Sequence, residues 1–292
     1  MKEKYYKFST YLKEHFKERV HRVSLDAGFS CPNRGENRTQ GGCIYCDNQA
    51  FSLQSRNKEL LPLDIQISQG IDIAKKIFNA NKFIVYFQAY SNTYDSVDKL
   101  KERYDTIRKF DNIVGLSIAT RPDCINDEIL DLIKSYSSDY EIWVELGLQS
   151  IHDKTLQFIN RGHAYQDFLK AYDLIKIRNI KVCAHVILGL PNETREMMRQ
   201  TAEEMARLRV DGIKIHPMHV VKGTKLHEIY KRGEYRPLEI DEYVSILKDF
   251  LAIINPDTVI HRLSAYCPPE LLVVPSWISK RGKIEQELEK TI

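Results

Sequence analysis

Six times along the chain, a short apolar run rich in β-branched and aromatic residues gives way to a stretch with helical periodicity. This alternation limits the fold more than any other feature. The strand segments are 20–25, 83–87, 113–118, 142–148, 182–188 and 212–216. Amphipathic stretches fall at 63–79, 97–109, 127–135, 164–177, 194–208 and 240–253. Strands alternating with helices pair in parallel through right-handed crossovers, so the expected class is α/β. The sheet can stay open and doubly wound or curl into a barrel, and in both cases chemistry collects where strands run into loops. The segments CPNRGENRTQGGCIYC, QAYSNTY, ATRPD, GLQS and GLPNET each fall at or just after a strand end. A fold without a site would not need such loops after every strand.

With 292 residues, 43% of them hydrophobic and 28% charged, the chain can bury a full core without staples. A net charge of +3 permits contact with nucleic acid but does not argue for it, since that function shows as a concentrated basic patch. No apolar run approaches a transmembrane span, and the N-terminus (MKEKYYKFSTYLKEHF) lacks the apolar stretch of a signal peptide. The expected compartment is the cytoplasm, with no membrane partner. Clustered cysteines there bind metal or do chemistry more often than they form disulfides.

The first strand segment runs into Cys31-x11-Cys43-x2-Cys46. Two thiolates separated by two residues can turn toward one metal. Zinc would need a fourth ligand, for which His21 or Asp47 is available, and a four-cysteine cluster would need another thiolate. Cys124, Cys183 and Cys267 are isolated in other segments and read as small buried hydrophobes. Three ligands without an obvious fourth also suit a [4Fe–4S] cubane with one iron open to a cofactor. Gly35, Gly41 and Gly42 would let the loop wrap closely around it. Tyr45 could lay its ring beside whatever occupies the open iron, or simply pack the loop.

The loop GFSCPNRGENRTQGGCIYCDN resembles that of radical-SAM proteins of the YtqA/YhcC type. These are relatives of the Elongator catalytic subunit and, more remotely, of the oxygen-independent coproporphyrinogen oxidase. The resemblance extends through YFQAYSNTY, SIATRPDC, VELGLQSIHDKTLQFINRGH, HVILGLPNET and VVKGTKLHEIYKRGEY, nearly the whole chain. It implies a (β/α)6 partial TIM barrel over residues 19–235, preceded by a basic, aromatic helical segment (1–18) and followed by a C-terminal extension (236–292). It also implies that Cys31, Cys43 and Cys46 hold a [4Fe–4S] cluster. On the open iron S-adenosylmethionine (SAM) would be cleaved to methionine and a 5′-deoxyadenosyl radical, with an electron from a donor such as flavodoxin or ferredoxin.

Carried over position by position, the resemblance places Gln88, Ala89 and Tyr90 at the methionine amino group. Gln149 and Arg161 would hydrogen-bond SAM, with Arg161 on its carboxylate. His185 would lie at the ribose, and Leu188, within the turn 186–191, at the adenine. Each has a plainer alternative: Gln149 as a helix cap, Arg161 paired with Asp153 or Glu145, His185 as a satisfied core histidine. Two departures concern the substrate side. Ala119 stands where Elongator-type sequences carry glutamate, and Cys267 lies in a stretch that is usually acidic.

Three readings of the substrate follow. The first is a tRNA wobble uridine, with a step such as conversion of its C5 carboxymethylaminomethyl side chain to aminomethyl. The second is a small metabolite such as a porphyrinogen, and the third a zinc-bound, non-enzymatic tRNA-binding module. Residues 1–22 carry seven Lys or Arg against three Glu, interleaved with Tyr5, Tyr6, Phe8, Tyr11 and Phe16. Such a segment could contact phosphates and stacked bases, or be an amphipathic helix with a solvated basic face. Lys222, Lys231 and Arg232 form a second basic candidate. His216 and His219, and less directly Asp123, Glu145 and Tyr90, could reach the substrate. Tyr230, Tyr235 and Trp277 are expected to pack the C-terminal cover.

Overall fold

The computed structural model describes residues 5–35, 41–52, 54–56 and 59–290. Residues 1–4 of the basic N-terminal segment and 36–40 of the cysteine loop lie outside it. All six expected strands form: β1 Val20–Leu25, β2 Lys82–Phe87, β3 Ile113–Thr120, β4 Glu141–Gln149, β5 Lys181–Leu188 and β6 Gly212–Pro217. They are followed by β7 Val220–Val221, β8 Val259–Arg262 and β9 Leu272–Val274. Strands β1 to β6 pair consecutively and in parallel, and β8 joins beside β6. The result is a seven-stranded parallel sheet curled into a partial barrel. The sequence shows six parallel strands because β8, VIHR, is too short and too polar to stand out. β7 and β9 pair antiparallel, apart from the main sheet.

Local signals explain the helix bounds. Thr194 caps the Arg195–Leu208 helix by accepting from Met197 N at 3.2 Å. Buried Met198, Thr201, Ala202 and Met205 then recur three and four residues apart. Asn126 caps the Asp127–Ser135 helix in the same way, accepting from Ile129 N at 2.9 Å.

Each strand presents alternate residues to opposite faces. Val23, Val85, Leu116, Val144 and Val182 point toward the helices and share one core with Ile71, Leu130, Phe168 and Met205. The opposite set, including Arg22, Tyr86, Glu145, His185, Lys214 and His216, lines a central cavity of about 1160 Å³. The strand ends carry the loops singled out in the sequence, and they open onto this cavity.

The N-terminal segment is structural. Lys7 bridges to Ile260 of β8, and Ile260 N donates to Tyr6 O at 2.7 Å, which covers the gap where β1 and β8 do not pair. In the Phe8–Phe16 helix, Phe8 stacks on His261 with centroids 4.0 Å apart and meets the edge of Trp143 at 5.9 Å. Tyr11 donates to Glu141, and Tyr6 donates to Glu14 at 2.6 Å. Aromatic rings that could have stacked nucleobases instead seal the end of the barrel remote from the cysteines. The C-terminal cover packs as expected: buried Tyr235 donates to Gly189 O at 2.8 Å, and Trp277 tilts against Tyr243 at 5.5 Å.

Candidate active site

The cysteine loop leaves β1 and is sewn to the turn that follows the Asp153–Phe158 helix. Cys31 opens a single 3-10 turn, Pro32–Arg34, with Arg34 N donating to Cys31 O at 2.8 Å. Cys43 and Cys46 sit on a turn closed by Cys46 N to Cys43 O at 3.0 Å. Ile44 N donates to Ile159 O at 3.0 Å, and Asn160 Nδ2 donates to Gly42 O at 2.7 Å. Gly35 and Gly42 do adopt positive φ, 67° and 68°, whereas Gly41 does not. All three cysteines face the cavity.

Three N–H donors address the sulfurs. Asn33 Nδ2 lies 3.7 Å and Arg161 Nη1 3.8 Å from Cys43 Sγ, and Asn48 Nδ2 lies 3.9 Å from Cys46 Sγ. Burial, and then the neighbouring Cys43, push the Cys46 thiol up to about 11. Among the described residues, no three His, Cys, Asp or Glu side chains converge tightly enough to hold a single metal ion.

Of the residues matched to SAM contacts, Gln88, Ala89, Tyr90, Gln149, Arg161 and Tyr45 gather on the same rim, whereas His185 lies deeper in the barrel and Leu188 lies in the core. Gln88 Nε2 donates to Phe51 O at 3.0 Å, Ala89 is buried, and Tyr90, at φ 64°, donates its N–H to Asn48 Oδ1 at 3.2 Å. Gln149 holds φ 76° at the end of β4 and caps no helix, because the next helix begins only at Asp153. Arg161 pairs with neither Asp153 nor Glu145. It reaches Gly147 O at 2.9 Å as well as Cys43, and its buried Nε has no partner. A Cβ on Gly147 would stand 2.4 Å from Arg161 Nη2 and 2.9 Å from Gln149 Nε2, so only glycine lets these two side chains share the strand end. Tyr45 lines the cavity and also packs against a small apolar cluster around Ile44 and Ile159. Leu188 is fully buried in the core, its carbonyl accepts from Met218 N at 2.9 Å, and Ile187 faces the cavity instead. Asp123 is held by Arg121 at 2.7 Å and is likewise absent from the cavity wall.

Deeper in the barrel lies a charged network that sequence inspection only brushed. Glu145, fully buried, accepts from Ser117 Oγ at 2.8 Å and His185 Nε2 at 2.8 Å, pairs with Arg22 Nη1 at 3.3 Å, and meets the Lys214 ammonium. Burial alone would raise the Glu145 pKa, but Lys214 and then Arg22 hold it well below the usual carboxylate range. Burial brings Lys214 down to about 7 against the pull of Glu145, and it brings His185 down to about 4, so the imidazole is neutral. Arg22 and Lys214 both lie over the Tyr86 ring, at 4.9 and 4.1 Å. The missed signal was polar alternation inside the apolar runs: Glu145, Gly147 and Gln149 on one strand, Lys214 and His216 on another.

The cavity is basic as a whole. Among the described residues, ten Lys or Arg line it against three Glu, although the chain carries only +3 overall. By contrast, the second basic candidate is largely satisfied within the protein. Lys231 pairs with Glu228 at 3.1 Å, Arg232 with Glu234 at 2.6 Å, and Lys222 donates to Glu270 O at 2.6 Å.

A curled parallel sheet with a cysteine loop after its first strand agrees with what sequence comparison finds. Residues 34–205 match the Radical SAM superfamily and residues 210–291 match the Radical_SAM C-terminal domain. The chain belongs to the radical SAM superfamily, a family of enzymes for which SAM and a [4Fe–4S] cluster are the expected cofactors. Within that superfamily it is of the YtqA type, being 38% identical to YtqA of Bacillus subtilis over 98% of this chain and 90% of the relative. A partial match, 38% identical over 46% of this chain and 25% of the relative, links it to the tRNA uridine(34) acetyltransferase of Methanocaldococcus jannaschii. Among solved structures, the archaeal Elp3 of Methanocaldococcus infernus has the same fold, with a TM-score of 0.70 at 21% identity, covering 93% of this chain. This chain spans 63% of that Elp3 chain. Among the described residues, no helix is long and apolar enough to cross a membrane.

Proposed function

We propose that Cys31, Cys43 and Cys46 hold a [4Fe–4S] cluster, that SAM binds at its open iron, and that the substrate is the C5 side chain of a tRNA wobble uridine. The observation that carries the site is the meeting of three cysteines with Arg161 at the mouth of the central cavity. The donor set fits a cubane. Three thiols share one loop, N–H groups point at their sulfurs, and the buried Arg161 Nε still lacks a partner. A cubane binds each thiolate at a different iron, so its ligands need not converge as they would on one zinc ion.

When bound, cluster and SAM supply the radical that removes a hydrogen atom, with the electron coming from a donor such as flavodoxin or ferredoxin. The chain's own residues bind, orient and exclude water. Arg161 offers a planar fork to the SAM carboxylate. Gln88, Ala89 and Tyr90 present backbone to its amino group, and Gln149 and His185 flank the nucleoside. Leu188 would contribute through backbone alone.

The tRNA reading rests on the basic lining of the cavity and on the partial likeness to the tRNA uridine(34) acetyltransferase. Its step is the conversion of a carboxymethylaminomethyl side chain to aminomethyl. The radical would take a hydrogen atom from the N–CH2–COO− carbon, and the remaining electron would return to the oxidised cluster. Water would hydrolyse the resulting C=N bond, so that the amine stays on the uridine and the two carbons leave as glyoxylate. Mass spectrometry of total tRNA nucleosides from cells with and without the gene tests it. Loss of the aminomethyl nucleoside with accumulation of its carboxymethylaminomethyl precursor is the expected result. An unchanged profile rejects the tRNA substrate and leaves the radical SAM family standing.

A further inference from the structure

Arg262 ends β8, beside Lys214 in the register of the parallel pair β6–β8. Its side chain lines the cavity and is exposed there, and the protein around it lowers its pKa. No carboxylate among the described residues lies within ion-pair distance of it, which sets it apart from its two cationic neighbours. Arg22 and Lys214 share Glu145, whose oxygens also meet Ser117, His185 and the Tyr86 hydroxyl, with His261 Nδ1 at 3.9 Å. His216 and His261 are kept neutral by burial and cannot compensate an anion. Glu285 lines the same cavity but does not reach ion-pair distance of Arg262. The floor therefore sets Arg22, Lys214 and Arg262 around one carboxylate, and Arg262 is the one of the three that does not pair with it. A guanidinium that opens onto the cavity and has no carboxylate at ion-pair distance among the described residues is free to take one from an incoming group.

We propose that Arg262, flanked by Lys214 and His216 on the cavity wall, receives a terminal carboxylate of the substrate. A guanidinium fork matches a planar carboxylate with two parallel hydrogen bonds. A phosphodiester is flanked by a ribose on each side and cannot present a free end to a floor walled by strands, whereas a side-chain carboxylate can. The subsite rests on the cavity being the substrate site of a radical SAM enzyme, not on the substrate being tRNA. A carboxymethylaminomethyl uridine and a porphyrinogen propionate would both place a carboxylate there, and the test separates them.

Equilibrium binding to the anaerobically reconstituted full chain decides the matter, with 5-carboxymethylaminomethyluridine and its methyl ester as one probe pair. Coproporphyrin III and its tetramethyl ester form the second pair, and inorganic phosphate is the control anion. The wild type should prefer the acid of one pair over its ester by roughly ten- to a hundredfold, the range for a charge-assisted pair of hydrogen bonds. R262Q should abolish that preference while leaving ester binding unchanged. R262K, which keeps the charge without the fork, should recover part of it. Because Arg262 has no partner in the fold, R262Q should melt within a few degrees of the wild type, and R262K carries the test if it does not. A preference confined to the uridine pair supports the subsite together with the tRNA reading. A preference confined to the porphyrin pair supports the subsite and rejects that reading. Acid preference that survives in R262Q, equal binding of acids and esters, no binding of any probe, or Arg262-dependent binding of phosphate alone would each overturn the carboxylate subsite.

Discussion

Arg161 and Glu145 show how one residue can be fixed by its neighbours for two different tasks. Arg161 spans Gly147 O and Cys43 Sγ with one nitrogen left over, so its geometry is set before any ligand arrives. Replacing it with lysine keeps the charge and loses the fork, and SAM affinity of the reconstituted protein should fall about tenfold or more in equilibrium dialysis. Unchanged affinity would remove Arg161 from the SAM site. Among the described residues Glu145 is the one carboxylate paired with buried Lys214 and half-buried Arg22, so E145Q should cost roughly 3–5 kcal/mol at neutral pH, the usual loss when one partner of a buried pair is removed. Its folded pKa lies below the ordinary 4.5, so its stabilisation is complete above that pH and is lost as pH falls through the folded value. Lys214 acts in the opposite region. Its folded pKa of about 7 lies below the ordinary 10.5, so the fold gains stability as pH rises from the one toward the other. Urea unfolding across pH should show a wild-type acid limb that E145Q flattens; parallel curves for the two proteins would contradict the assignment.

At the scale of elements, the first strand and the helix behind it show packing overruling local preference. Gly70 lies inside the Leu63–Phe78 helix, where propensity alone favours alanine by about 1 kcal/mol. A Cβ there would stand 2.4 Å from Val23 Cγ1 of β1, so the helix backbone rides directly on the strand. G70A should therefore destabilise by about 1–3 kcal/mol despite its better propensity. The double variant with V23A should regain part of that loss, because the two sites share one contact. A stabilising G70A in thermal or urea unfolding would mean that helix and strand separate more easily than this packing allows. The N-terminal helix makes the same point about side chains. Its aromatic residues read equally well as base-stacking groups, and it is the Trp143–His261 surface that claims Phe8 and Tyr11.

For the whole molecule, the sharpest expectation concerns iron. Serine at Cys31, Cys43 or Cys46 should cut the iron bound after anaerobic reconstitution from about four per chain to near none. Serine at the buried Cys124, Cys183 or Cys267 should leave it intact. Iron retained by all three loop variants would move the cluster elsewhere. Charge is also a property of the whole molecule. If tRNA docks over the cavity mouth, reversing Lys222 should weaken tRNA binding and lower the salt slope by about 1. An unchanged slope would confine docking to the cavity cations.

The sequence by itself determined the strand–helix alternation, six of the seven parallel strands and the Cys31–Cys43–Cys46 loop. It also marked the strand-end segments that carry Gln88 and Gln149, and the family resemblance singled out Arg161. Periodicity and spacing are local, so they survive in a linear reading. Only the tertiary structure decided what depends on which strands become neighbours. β8 becomes a strand because β6 offers it an edge, and the N-terminal helix becomes a seal because β1 and β8 leave a gap. Arg22, Glu145, Lys214 and Arg262 come from four separate strands, and only the curl of the sheet brings them to one floor. A near-neutral chain thereby gains a strongly basic interior, because charge adds up by position in space and not by position in sequence.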